Sequence, residues 1–238
     1  MHPDVAHPEL PGSSCPGTCS FSPFSPPNSF HCPWQTSGVD FYTGVGVLIH
    51  LKKEPLTMSS ALLVIDVQND YFAKGALPLW QVDETAGRIV AAIRHADAHG
   101  WPVIAIRHVA ATSDAFLFRP SSPGIPFHDS VAALLADRPV VTKRQADAFF
   151  QTDLRQRLDE AAGLQGASSQ TGITDLYLCG MMTQNCITHT ALSPETAGYR
   201  IHVIGDACTA PSELVHRIAL RALAARCDIL DTSAMATD

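Results

Sequence analysis

Three residues of complementary chemistry stand beside apolar runs in this chain: Cys186, Lys143 and Asp66. Cys186 follows the run Ile173, Leu176, Tyr177, Leu178, Cys179, which breaks at Gly180. A helix is expected from about Thr183, a good N-cap residue. Cys186 then falls in the first helical turn, where the dipole and unpaired N–H groups favour thiolate over thiol. Such a thiol is a nucleophile for a carbonyl carbon. The other reading of the same residue is a small buried hydrophobe. Asp66 lies near the end of Ala61-Leu-Leu-Val-Ile-Asp-Val67 and could act as a general base, or simply cap a strand end. Lys143 ends Val140-Val-Thr-Lys143, and its bland reading is a solvated tip. The chain uses twelve Arg against four Lys, and beyond residue 57 only Lys74 and Lys143 remain. A guanidinium cannot replace a compact ammonium, so a lysine at a strand end invites a chemical explanation. Together the three make one reaction. Asp66 takes the thiol proton, Lys143 favours carboxylate and thiolate, and Cys186 forms an acyl-enzyme that water resolves.

That reaction needs the three at one edge, and the pattern of elements supplies it. From Met58 onward strands alternate with helices. Strands are expected at 61–67, 102–106, 140–143, 173–179, 200–205 and 228–231. Helices are expected over 82–99 (Ile89, Val90, Ile93, Ala96 on one face, ending at Gly100), 130–136, after Thr152, from Thr183, and over 212–226. Residues 111–127 read as a long loop with Pro120, Pro123, Gly124 and Pro126. This alternation implies an α/β fold, three layers deep, with a parallel, Rossmann-like six-stranded sheet. Ligands of such sheets bind beyond the carboxyl ends of the strands, where Asp66, Lys143 and Cys186 would all lie.

Residues 1–57 differ from the rest. They form a Pro/Ser-rich N-terminal extension without helical or strand periodicity and are expected to be disordered, with one α/β domain over 58–238. Cys15, Cys19, His31 and Cys32 have no zinc-finger spacing. Gly44-Val-Gly46 lacks the third glycine of a dinucleotide fingerprint, and no Gly-rich phosphate loop follows the first strand, which disfavours nucleotide binding.

Over the whole chain of 238 residues, 46% are hydrophobic and 16% charged, enough for a sizeable core. A net charge of −7 argues against nucleic acid or an anionic membrane as partner. No apolar run has the length of a transmembrane span. Seven cysteines without a small-scaffold spacing, and no basic-then-apolar leader, point to a reducing, cytoplasmic setting.

Three stretches resemble the isochorismatase-like cysteine hydrolases, in order and spacing, from about Ser60 to the C-terminus. Leu63-Val-Ile-Asp-Val-Gln-Asn-Asp-Tyr-Phe72 resembles that family's first-strand signature. Val141-Thr-Lys-Arg-Gln-Ala-Asp-Ala-Phe-Phe-Gln-Thr-Asp-Leu154 resembles its lysine motif, and Cys179-Gly-Met-Met-Thr-Gln-Asn-Cys186 its nucleophile motif. The resemblance implies a catalytic triad of Asp66, Lys143 and Cys186. It also implies a cis peptide at Met181–Met182 and an oxyanion hole from the backbone N–H groups of Met182 and Cys186. Nicotinamidases of the family carry an Asp-x-His…His metal site after the second strand. Here that strand runs into Arg107-His108-Val-Ala-Ala, and His108 and His128 are too isolated to form a metal pair, so no metal or other cofactor is expected. Phe118-Arg-Pro-Ser-Ser-Pro-Gly-Ile-Pro-Phe-His128 resembles the Pro-Gly-Thr-Pro-Gly segment of the metal-independent amidase branch, with Phe127 in place of the last glycine.

The expected function is therefore a metal-independent cysteine hydrolase of a small amide, carbamoyl or ureido compound. Phe72, Phe118, Phe149 and Met182, with Trp80, are candidate walls for the small-molecule substrate. The resemblance further implies a homo-oligomer. The rival readings are a nicotinamidase- or isochorismatase-type hydrolase of a ring substrate, and a catalytically idle binding or assembly subunit of the same fold.

Overall fold

The computed structural model describes residues 59–163 and 172–235. The N-terminal extension, with its candidate ligands Cys15, Cys19, His31 and Cys32, lies outside the described residues.

The first strand, β1 (Ser59–Ile65), carries seven residues, SSALLVI, and those beyond the opening serines are buried on both faces. Alternate side chains point to opposite faces of a strand, so Leu62 and Val64 enter one core while Ala61, Leu63 and Ile65 enter the other. Both faces must therefore be covered, and both are. α1 (Val82–Ala98) and α2 (Asp129–Leu135) pack Ile89, Ile93, Val131 and Leu135 onto the first face. α3 (Leu154–Ala161), α4 (Thr188–Ala191) and α5 (Glu213–Leu223) cover the second with Leu154, Leu158, Ala191 and Leu223. The remaining strands are β2 (Val103–His108), β3 (Val140–Lys143), β4 (Ile173–Met181), β5 (Arg200–Thr209) and β6 (Asp228–Leu230). All pair in parallel, in the order β3-β2-β1-β4-β5-β6. The expected three-layer α/β architecture and its six strands are what is found.

The order reverses at β1, whose neighbours are β2 and β4, so the crevice beyond β1 lies where successive connections leave to opposite sides. Gly180 makes the closest approach there. It pairs with Ile65, has φ +122, and a Cβ on it would lie 2.0 Å from the Ile65 carbonyl oxygen. Only a glycine fits.

The helix expected from Thr183 takes a different form. Thr183–Ile187 is a π turn that runs into α4, preceded by a cis peptide between Met181 and Met182. Its N-cap is Met182, with no side-chain cap. The Thr183 hydroxyl is engaged elsewhere, because tertiary partners on β5 and α5 outcompete a local capping bond. Among the described residues, no helix is long and apolar enough to cross a membrane.

Candidate active site

Asp66 is the first residue after β1 and is fully buried, with φ 54. Its N–H donates to Ile106 O at 3.0 Å and its carbonyl accepts from Gln68 N at 2.8 Å, which fixes the turn off the strand. Lys143 is the last residue of β3, 1% exposed. Cys186 lies in the π turn beyond β4, also fully buried. Three strand ends thus deliver three side chains to one place.

Lys143 Nζ is the centre of that place. It lies 2.9 Å from Asp66 Oδ2 and 3.1 Å from Cys186 Sγ, and it donates to Gln145 O at 3.0 Å. A fourth neighbour, His108 Nδ1 at 3.2 Å, comes from the end of β2. Burial pulls the ammonium down, but the charges of Asp66 and Cys186 outweigh it and Lys143 stays above its ordinary value. The Asp66 carboxylate is held by this ion pair and has no well-aligned hydrogen bond. Asp66, His108 and Cys186 bring ligand-type atoms within 4.8 Å of one another, a spacing that could suit a metal ion. Here the Lys143 ammonium already stands 2.9–3.2 Å from all three donors, at the point a cation would take. A second cation there would meet it head-on.

His108 was not singled out as a site residue by its neighbours in sequence, yet it joins the group. Burial first, and then Lys143, lower its pKa, with Asp66 opposing, so the ring is neutral and can accept at Nδ1 from the ammonium. Gln68, fully buried, holds His108 from behind. Its Oε1 accepts from His108 N at 2.7 Å, while its Nε2 donates to His108 O at 2.9 Å and to Ile125 O at 2.8 Å. One amide therefore ties β2 to the loop 111–127. Asp70 ties the segment after β1 to the same loop, its Oδ2 accepting from Phe118 N at 2.6 Å. Sequence alone offers no signal for these links beyond the polarity of two residues in an apolar context.

The expected thiolate is not the resting form. Burial is the largest influence on Cys186 and raises its pKa, Asp66 raises it further, and Lys143 only partly offsets them. The cause is charge count. One ammonium already neutralises one carboxylate, and a thiolate would add a second buried anion against the same cation. The helix-dipole expectation loses to desolvation, in a π turn rather than the first turn of an α-helix.

The candidate wall residues divide. Phe118, 3% exposed, stacks on His108 with centroids 5.1 Å apart and meets Tyr71 edge-on at 5.0 Å. Phe149 shares a core layer with Cys186, and Met182 directly precedes the π turn. Phe72 lies flat on His128, centroids 3.5 Å apart, and lines a cavity of about 570 Å³ that includes none of Asp66, Lys143 and Cys186. Trp80 packs beside His216.

Known proteins bear on this arrangement. Residues 60–235 match the isochorismatase domain family model. An uncharacterized isochorismatase family protein of Bacillus subtilis is 34% identical over 176 residues, covering 70% of this chain and 92% of that protein. Streptothricin hydrolase of Streptomyces noursei is 30% identical over 149 residues, 62% of this chain and 48% of the relative. Among solved structures, one described as an isochorismatase hydrolase from Oleispira antarctica superposes with a TM-score of 0.66 at 30% identity, covering 76% of this chain and 97% of its own. With its six parallel strands in the same α/β arrangement and the family model spanning nearly all the described residues, the chain belongs to the isochorismatase family of hydrolases.

Proposed function

We propose that the protein is a cysteine hydrolase that cleaves the C–N bond of a small amide, carbamoyl or ureido compound. The observation that carries this reading is the convergence of Asp66, Cys186 and His108 on Lys143 Nζ, within 2.9–3.2 Å, at the sheet's carboxyl edge. Asp66 accepts the thiol proton as the substrate carbonyl arrives, and Cys186 Sγ attacks the carbonyl carbon. Lys143 stabilises the thiolate as it forms, so charge appears only with substrate in place. The oxyanion is assigned to the N–H groups of Met182 and Cys186. The Met182 carbonyl accepts from Asn185 N at 3.0 Å and Ile187 N at 3.2 Å, which ties Met182 to the turn that carries Cys186. As the intermediate collapses, the C–N bond breaks and the departing nitrogen takes the proton from Asp66. Water, activated by the same carboxylate, then cleaves the thioester, releasing the acid and restoring the thiol.

Lys143 Nζ fills the point where the potential metal ligands converge, which supports chemistry without a metal cofactor. The relative that hydrolyses streptothricin supports a hydrolase but not a particular substrate. A panel of small amides and ureides, scored by ammonia release, is the test. At least one should be hydrolysed by the wild type and none by Cys186→Ser. Equal ammonia release from both proteins would remove Cys186 from the mechanism.

A further inference from the structure

His216 is a buried histidine, 7% exposed, on α5, outside the Asp66–Lys143–Cys186 group and unused by the hydrolysis above. Its Nδ1 lies 2.8 Å from the Thr183 hydroxyl, and that hydroxyl donates to the Thr209 carbonyl at 3.0 Å. A hydroxyl has one proton. With that proton on Thr209 O, the contact with His216 must be one in which Nδ1–H donates and Thr183 accepts. Burial keeps the ring neutral by lowering its pKa, with Glu213 opposing, so its single proton is fixed on Nδ1. The bonds therefore run one way, from α5 to the π turn and on to the end of β5. Thr209 extends them, its own hydroxyl donating to the Trp80 carbonyl, and the Trp80 ring lies against His216 with centroids 5.8 Å apart.

The place where this chain of bonds lands matters. Thr183 is the first residue of the five-residue turn that holds Cys186, and it directly follows Met182. Its carbonyl is also held, accepting from Thr188 Oγ1 at 2.6 Å. A π turn is rare and has no side-chain cap here, so local bonding alone fixes its entry poorly. We infer that His216 is a positioning residue, whose Nδ1–H bond to Thr183 sets the π turn so that Cys186 Sγ meets Lys143 Nζ and the Met182 and Cys186 N–H groups face the substrate oxygen. This inference rests on Cys186 being the nucleophile. Misplacement of reacting groups by about 1 Å can cost about a hundredfold in rate, so a modest relaxation of the turn is enough to register.

The experiment compares Thr183→Val with Thr183→Ser, and His216→Gln with His216→Asn. Serine keeps the hydroxyl, and asparagine places an amide donor near the Nδ1 position, whereas valine removes the hydroxyl and glutamine mimics Nε2 instead. Hydrogen exchange across residues 183–187 is read by mass spectrometry, with kcat and KM for the best-hydrolysed member of the small-amide and ureide panel. Thr183→Val and His216→Gln should speed exchange in this segment at least tenfold and lower kcat about ten- to hundredfold. KM should change less than about threefold, and exchange in β1 and β4 should stay as in the wild type. Thr183→Ser and His216→Asn should restore most of both. Unchanged exchange at 183–187 would overturn the inference, as would faster exchange with unchanged kcat. If the wild type hydrolyses no panel member, the hydrolase reading itself fails and takes the inference with it. If one variant of a pair does not fold, the other pair decides.

Discussion

Lys143 Nζ lies 3.1 Å from Cys186 Sγ, so removing this ammonium and removing the Asp66 carboxylate should move the thiol in opposite directions. Lys143 lowers the thiol pKa, whereas Asp66 raises it. Asp66→Asn should therefore speed iodoacetamide alkylation of Cys186 at pH 8, leaving the buried ammonium with the thiolate as its counter-ion. Lys143→Met should slow the same alkylation. Both should impair hydrolysis, Asp66→Asn by about a hundred- to ten-thousandfold, the range for lost acid–base catalysis. Site-resolved peptide mapping measures the labelling. Movement of both variants in the same direction would show that the two charges do not face the sulfur as described.

Hydrolysis should survive exhaustive chelation. The three donors that could share a metal already surround an ammonium. After dialysis against a strong chelator the rate should stay within about twofold of its starting value, the expected behaviour when the oxyanion is held by N–H groups alone. Loss of activity with recovery on adding zinc or iron would sink this reading.

Gly180→Ala is expected to be among the most damaging small substitutions. The added methyl would stand 2.0 Å from Ile65 O, on backbone already at φ +122. Separating β1 from β4 would disturb the end of the strand that carries Asp66. Urea unfolding should show a loss of more than about 3 kcal/mol, or no folded protein at all. A loss under about 1 kcal/mol would mean that the strands do not approach this closely.

The opposite edge of the sheet carries an acid-sensitive link. Asp175 on β4 accepts from Arg200 Nε and Nη2, each at 2.7 Å, from His202 Nε2 at 2.8 Å and from Thr174 Oγ1 at 2.6 Å. Burial pushes its carboxyl up, but these donors prevail and bring it down to about 2, from an ordinary value of 3.8. Between those values the unfolded chain binds more protons than the folded one, so the stabilisation is complete above about pH 5 and lost as pH falls towards 2. Asp175→Asn should cost about 1–2 kcal/mol at pH 7 and much less at pH 2.5. Urea midpoints at the two pH values measure it, and an equal cost at both would mean that the charge is not the source.

The sheet was legible because β1 and β4 are apolar on both faces, a pattern that fits a buried parallel strand and little else. Asp66 stood out because it follows such a strand. Lys143, at the end of the edge strand β3 with Thr142 exposed, and Cys186, in the turn beyond β4, stood out by side-chain chemistry and by motif spacing. His108 was harder to read, since its partner Lys143 is thirty-five residues away and its clamp, Gln68, forty. The form of the Cys186 turn was not legible either. Thr183 has good capping chemistry, and only the fold reveals that His216 and Thr209 have claimed its hydroxyl. Similarly, the resting charge of the sulfur depends on how many buried anions share one ammonium, a count that no local window of sequence contains.

Asp66, Lys143 and Cys186 are each 0–1% exposed, and the thiol between the two charges is protonated at rest. Peroxide and other oxidants attack thiolates that they can reach. Among the described residues, Cys227, just beyond α5, is the one cysteine that is not buried, so bulk oxidant meets it before it meets Cys186. The enclosure that buries Cys186 would thus also shield its sulfur from oxidants.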